Sequence, residues 1–592
     1  DLGGSFAFSE AEIRYLDTFP TATGVAGFGN FAGDSLDLTL ERGETGKVEA
    51  TGGKVGLTNM IGAADPQLKV RLDLRSSVPA ALDLLDHEPI GLLAATGLSL
   101  QGAAGQQTTR LEVGLPLIED LPVDRIRYQA TTQVTALQLR NVRPGYDLTA
   151  RELKLSADAS GLSTGGEVQV NGVPVNVVWR ESFGDGRGPR RQIDLQAGLT
   201  PAAVRSLRFD WPAWLSGAVG VTAKLVESRR ATRTVDLALD LGPTGIQVPS
   251  LLLTKLPAQP GRASARLIQE TPERLTVEQV SIEADSVTAE GSLGLRLEPV
   301  QPDRIAVTTL RSKLGDLSAD LTLQDRTWRG AVDIGRLDLR PLRQGSGTEG
   351  GSDWTIPDLA LVVSARTLRL GDAPLTNLKG SVERQGGIWS AARIRGNIED
   401  SEVALDLQTR QQQSALTLRS NDAGWLIRGF ASSDNGVRGG QFRLSGDFRQ
   451  RPEGTIGAGE LKIRDFTLYG APLIARIVSL ASFTGLTNAL SGRGVPVQRL
   501  VVPFELEGER LTLNQARLVA ADIGARADGT IDLETGALTV NGTVAPAYTV
   551  NRILGRIPIL GQILSGSGSD AAIAATFSVS NTLADPQITV NP

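Results

Sequence analysis

The chain has 592 residues, of which 41% are hydrophobic and only 4% aromatic, with one Met, one His, no Cys and a formal net charge of −6. So large a hydrophobic share excludes wholesale disorder, and the acidic balance excludes the basic footprint of a nucleic-acid binder. The 67 Gly and 29 Pro are spread along the whole length, as a protein of many short strands and turns requires.

The sequence opens on Asp1, with neither a signal peptide nor a charge-free apolar run of membrane-spanning length near its front. The expectation is an excised piece of a longer product, any anchor lying upstream. The first recurring element is a strand of period two. Leu36, Leu38 and Leu40 alternate with Asp37 and Thr39, and Val70, Leu72 and Leu74 alternate with Arg71 and Asp73, giving one apolar and one wet face. VPAALDLLDHEP then reads as a short helix, with Pro79 in its first turn and Pro89 ending it. His87 at the end of that helix is read as a solvated residue favoured by the helix dipole. A second His or a Cys, which a metal or catalytic site would need, is lacking.

From Arg110 to Val178 the strand pattern resumes. Within it Gly161–Gly165, GLSTG, formally matches a nucleophile elbow, but a strand follows where a helix is required. The glycines are therefore read as a hairpin turn, and no His is placed to activate Ser163. Gly184–Arg191, GDGRGPRR, reads as a solvated basic loop, with contact to anionic lipid headgroups as the functional alternative. Thr200 and Pro201 form the N-cap and first position of a helix expected over TPAAVRSLRFDWPAWLSG, in which Trp211 and Trp214 are expected to fill the end of a core.

Val235, Leu237 and Leu239 continue the alternation, as do Leu321 and Leu323. An internal repeat emerges across this region. ERLTVEQVSIEADSVTAEGSLGLRLE from Glu273 resembles ERLTLNQARLVAADIGARADGTIDLE from Glu509, read with a two-residue insertion in the second, and GIWSAARIRGNIEDSEVALDL from Gly387 is a looser third copy. Within the copies, Leu275, Val277, Leu293 and Leu295, then Val403, Leu405 and Leu407, then Leu511, Leu513, Ile531 and Leu533 are candidate lining residues of an apolar groove. Leu416, Leu418, Leu538 and Val540 belong to flanking strands of the same kind. The Gly/Ser-rich run over residues 344–353 is the boundary expected between a region 1–343 and a region 354–592.

Two apolar pieces near the end have no counterpart upstream. Leu473, Ile474, Ile477, Val478, Leu480, Phe483, Leu486 and Leu490 recur at three- and four-residue steps after Pro472, which predicts a helix just short of a comfortable membrane span. Ile553, Leu554, Ile557, Ile559, Leu560, Ile563 and Leu564 lie in a stretch broken by Gly555, Pro558 and Gly561. Both pieces are read as a cap on the end of the sheet or as a terminal gate that touches lipid or membrane.

The fold class expected is therefore mainly β, a very long antiparallel ladder of on the order of 40 to 50 strands of about seven residues, with a few short helices. So long a sheet must curl. Curled closed, it buries its apolar face as a core; curled open, it forms a gutter whose Leu/Val wall suits flexible acyl chains.

The segment from Ser420 to Phe448, followed by LKIRDFTLYGAPLIARIVSLASFTGLTNALSGRG, VPFELEGERLTL, GTIDLETGALTVNGTVAPAYTVNRILGRIPILGQILSG and DPQITVNP, resembles the C-terminal region of the AsmA-like proteins of Gram-negative bacteria, most closely their YhdP branch. EVQVNGVPVNVVWRESF and ALDLLDHEPIG are similar to the central region of that branch. The likeness covers most of the chain and is strongest from Asn421 onward. It implies a periplasmic lipid-transport protein whose β-groove carries phospholipid between inner and outer membranes and supports the outer-membrane permeability barrier. It also implies an inner-membrane anchor, absent from this sequence, and a C-terminal end near the outer membrane. The family brings no catalytic residues and no cofactor. Relatives commonly run on a little past the VNP at which this sequence stops. Two other readings stand beside this one: a structural or adhesive secreted β protein with a closed core, and a hydrolase resting only on Ser163 and His87.

Overall fold

The fold is given by a computed structural model. It describes residues 3–61, 65–88, 90–91, 101–118, 121–122, 125–183, 188–230, 232–344, 357–430, 436–451, 454–469, 494–521, 523–546, 575–583 and 586–591. Among these, 32 strands take part in ladder pairing and three short ones, Leu215–Gly217, Thr244–Val248 and Leu253–Lys255, form a separate small sheet. The strands are fewer than the sequence spacing implies because most are longer, commonly 10 to 13 residues. Many run through internal bulges that break the alternation without ending the strand.

The chain divides into two compact units, Asp1–Pro302 and Asp303–Pro592. In the first, the ladder strands pair antiparallel with their sequence neighbours, stepping past the small sheet. The second has the same meander with one exception. Thr327–Asp338 pairs parallel to Leu359–Arg369, with Trp328 opposite Leu359 and Leu337 opposite Leu368. A parallel step needs a connection that returns along the sheet; of residues 339–358, which join the two strands, 345–356 lie outside the described residues, and with them most of the Gly/Ser-rich run.

Among the described residues four α-helices accompany the strands. α1, Val78–Leu85, is capped by the Ser77 hydroxyl, which accepts from Ala80 N, with Pro79 in the first turn. α2 is only Pro201–Ser206, capped by Thr200. The longer helix expected there ends because Arg208 adopts the left-handed region at φ 65°, which stops helical propagation. α3 is Arg340–Gln344 and α4 is Ala423–Phe430. No helix among the described residues is long and apolar enough to cross a membrane.

The internal repeat is structural. The strands Arg274–Ala284 and Val287–Leu297 recur as Arg510–Ala520 and Ile523–Asp532 at a constant offset, 274→510 and 287→523, so no insertion separates the copies. The register also slips at equivalent points, between Val277 and Val280 and between Leu513 and Ala516. There Gln279 and Gln515 take left-handed φ values of 50° and 54°. The copy at Ile388–Ile398 and Ser401–Arg410 pairs without a slip, which makes it the looser one.

Candidate functional site: an apolar sheet face

The alternation seen in single strands is kept in register across whole ladders. In the second unit one transverse row runs Ile305, Leu321, Gly330, Leu361, Val382, Ala392, Leu407, Leu416, Gly446, Gly459, Phe504, Leu513, Gly529, Val540, Val579 and Ile588, each residue directly opposite the next. Every member is aliphatic, Phe or Gly. One residue along, the row Ser381, Arg393, Asp406, Thr417, Ser445 and Glu460 is polar throughout. Directly opposed residues share a face and adjacent ones do not, so this sheet has one apolar and one charged side. Fifteen steps of ~4.8 Å give the row a length of about 70 Å measured across the strands.

The first unit repeats the arrangement in two rows. One runs Phe8, Gly27, Leu40, Gly53, Leu72, Leu111, Ala130, Ala157 and Leu162. The other runs Trp179, Ile193, Leu225, Val235, Leu267, Val277 and Leu293. Beside the second lies the row Val178, Asp194, Lys224, Asp236, Arg266 and Glu278. Its charges are tied on the wet side by pairs such as Arg266 Nε to Asp236 Oδ1 at 2.6 Å.

What distinguishes this face from an ordinary core is its degree of cover. Leu36, Leu38, Leu40, Val235, Leu237, Leu239, Leu275, Val277, Leu293, Leu295, Leu321, Leu323, Leu405, Leu407, Leu416, Leu418, Leu511, Leu513, Ile531 and Val540 are all half-buried. Val403 and Leu538 are buried. Leu533 lies past the end of its strand and is 49% exposed, so it does not line the face. The apolar pieces Leu473–Leu490 and Ile553–Leu564 lie outside the described residues.

Full burial is concentrated toward one edge. In the first unit α1, α2 and the small sheet all leave the ladder from the edge that holds Ser77, Leu199 and Asp240. Val78 of α1 packs with Val134, Leu137, Ala150 and Val168 of the apolar face. In the second unit α4 leaves after Ser420 and lays Leu426, 2% exposed, against Ile398, Val403 and Leu375. Asp422 caps it by accepting from Trp425 N at 2.8 Å, and the Arg428 guanidinium lies 4.1 Å from the Trp425 ring centroid. On the strand Ser401–Arg410 cover thins away from that edge: Val403 is 6% exposed, whereas Leu405 and Leu407 are half-buried. No family model matches this chain, and no curated protein matches its sequence.

The residues raised for catalysis fall elsewhere. Ser163 is exposed within the strand Gly161–Val170, not on a turn. Gly161 is there for close strand approach, since a Cβ on it would come within 2.2 Å of the Glu181 carbonyl oxygen. His87 bonds the Asp83 carbonyl through Nδ1 at 3.0 Å, and its ring centroid lies 5.7 Å from that of Phe19. Trp211 is half-buried and donates from Nε1 to the Leu215 carbonyl at 2.8 Å, but Trp214 is 51% exposed and fills no core. Of the basic loop Gly184–Arg191, residues 184–187 lie outside the described residues, and its last residue, Arg191, opens the strand Arg191–Leu199. Arg191 donates from Nε to Glu181 Oε2 at 2.7 Å and from Nη1 to Glu227 Oε2 at 3.2 Å, and hydrogen bonding to Glu181 raises its already high pKa. Sequence reasoning missed both this network and α4. The Asp422 cap before an apolar run was the available signal for the helix.

Proposed function

We propose that the chain is part of a bridge-like lipid carrier whose apolar sheet face, curled into a gutter, shields the acyl chains of phospholipids moving between the inner and outer membranes. The observation that carries this reading is the in-register apolar row from Ile305 to Ile588, half-buried at nearly every position. A contiguous apolar surface of that extent is too broad to be left in water, and a closed-core protein would bury it under a second layer. Aliphatic side chains without directional partners suit chains that slide past them. The likeness to AsmA-like proteins of the YhdP branch supports the same reading and adds a periplasmic location, an inner-membrane anchor upstream and an outer-membrane end.

A photo-crosslinking amino acid at Leu405 or Leu237, on the apolar face, is expected to capture phospholipid in cells. The same probe at Thr417 or Asp236, on the charged face, is expected to capture none. Equal labelling of both faces, or labelling of neither, would sink the proposal.

A further inference from the structure

In the first unit the apolar face turns charged at one rim. Glu181, Arg191, Glu227 and Arg233 stand opposite one another on four consecutive ladder strands. Each lies two residues along from Trp179, Ile193, Leu225 or Val235, and so on the same face. Charges on an apolar face are costly unless paired, and Arg191 pairs with both carboxylates, whose side chains are only 12% and 9% exposed. Arg190 and Arg233 are held less closely. They approach Glu181 and Glu227 at 3.7 and 4.0 Å, with side chains 56% and 51% exposed. The turn between the last two strands adds Arg229 and Arg230, both exposed.

An ion-pair network that served only to join strand ends would balance its charges. Here three arginines (190, 191 and 233) meet two glutamates (181 and 227), with Arg230 exposed on the adjoining turn, so positive charge exceeds negative within this group. From Arg191 the apolar positions Ile193, Leu195 and Ala197 run down the strand. Six residues at ~3.3 Å reach about 20 Å, more than the ~15 Å that one leaflet contributes to a bilayer's hydrocarbon core. The guanidinium fork matches phosphate oxygens.

We propose that this rim is a headgroup station selecting anionic phospholipid. The exposed arginines hold the lipid phosphate at the rim while the acyl chains lie along the strands that carry Trp179 and Ile193, crosswise to the ladder. The station rests on the lipid-carrier reading above, and its test separates the two.

The full chain, with the crosslinker at Leu405 in the second unit, is loaded from detergent micelles of phosphatidylglycerol and phosphatidylethanolamine with matched acyl chains. Bound lipid is read by mass spectrometry. The native chain is expected to enrich phosphatidylglycerol about fivefold over the micelle, roughly 1 kcal/mol. Arg190→Gln/Arg233→Gln is expected to abolish the enrichment and still crosslink lipid at Leu405. Both side chains are more than half exposed, so the strands survive the change. Arg71→Gln/Arg110→Gln, the same charge change on the other face, is expected to keep the enrichment; if it loses as much, net charge explains the preference and the station falls. Unchanged enrichment in the first double variant overturns the station and leaves the carrier standing. A native chain that captures no lipid at Leu405 overturns both. Binding of inorganic phosphate that needs Arg190 and Arg233, with no lipid preference, would make the rim a free-phosphate site and overturn the station.

Discussion

Phe504 stands directly opposite Gly459 on the neighbouring strand, and its ring occupies the space a side chain at Gly459 would need: a Cβ there would come within 2.5 Å of Phe504 Cζ. The same Cβ would lie 2.6 Å from the Ser445 carbonyl oxygen, so moving the ring alone does not relieve the clash. Phe448 stacks on Phe504 with ring centroids 6.4 Å apart. The aromatic pair thus fills a gap left by two glycines, Gly446 and Gly459, in the middle of the apolar row. Gly459→Ala is expected to destabilise the second unit by about 1–3 kcal/mol through overpacking, read as a lower urea midpoint at unchanged m-value. An unchanged midpoint would mean that the strands part freely at this point.

Cover on the apolar face predicts how two leucines differ. Leu426 of α4 is 2% exposed and packs in a closed cluster, whereas Leu405 on the sheet is half-buried. Leu426→Ala is expected to cost about 2–5 kcal/mol, the range for a buried leucine. Leu405→Asp, though it introduces a charge, is expected to cost less than Leu426→Ala, because water reaches the site, and to abolish lipid capture by a crosslinker at Leu418 directly opposite it. The two urea midpoints check this. A larger loss for Leu405→Asp would show that the face is a closed core.

How far these features were legible depends on what fixes each one. Alternation in strands such as Ser35–Thr45 is dictated by the two wet and greasy faces, so it stands in the sequence. Register across strands does not. It is set by bulges at Gln279 and Gln515 and by turn lengths, and a one-residue slip would have sent the row through Val277 to the other face. Gly161 and Gly165 read as turn residues because a glycine's need for close strand approach leaves no local mark. The Glu181, Arg191 and Glu227 network joins residues 10 and 36 positions apart, and only the pairing of three strands brings them together.

A carboxylate at the parallel step gives a pH dependence. Asp358 precedes the strand Leu359–Arg369 and accepts from Gly386 N at 3.0 Å and Gly387 N at 3.3 Å. These bonds, to Gly386 first, and the nearby Arg384 hold its pKa below the ordinary carboxylate value. With the folded pKa depressed, the unfolded chain binds more protons in acid. The contribution is therefore complete above the unfolded value near 4 and is lost as pH falls through the folded one. Asp358→Asn keeps an acceptor but removes the titration. Its urea midpoint is expected to fall less than that of the native chain between pH 6 and pH 3; equal falls would remove Asp358 from the account.

The small three-stranded sheet is pinned by a buried cation. Lys255 is 1% exposed, and its Nζ donates to the carbonyls of Thr244 at 2.8 Å and of Gly242 and Leu256 at 3.3 Å each. Burial lowers its pKa from the ordinary lysine value, with Asp240 opposing. Three carbonyl partners are what make a charged amine tolerable there. Lys255→Met keeps most of the stem's packing against Gly261 and removes the ammonium donor from the Thr244 carbonyl, while the Gly242 and Leu256 carbonyls keep the N–H groups of Ala258 and Gln259, at about 1–3 kcal/mol for a buried group left unsatisfied. Because the ladder strands on either side keep their own pairing, with Asp240 opposite Arg262, the loss is expected to stay local. Amide exchange over Thr244–Val248 and Leu253–Lys255 is expected to accelerate by about a hundredfold, equivalent to nearly 3 kcal/mol, while the ladder amides of Arg233–Asp240 hold their protection. Protection unchanged in the small sheet would show that its strands, and not the ammonium, hold it closed.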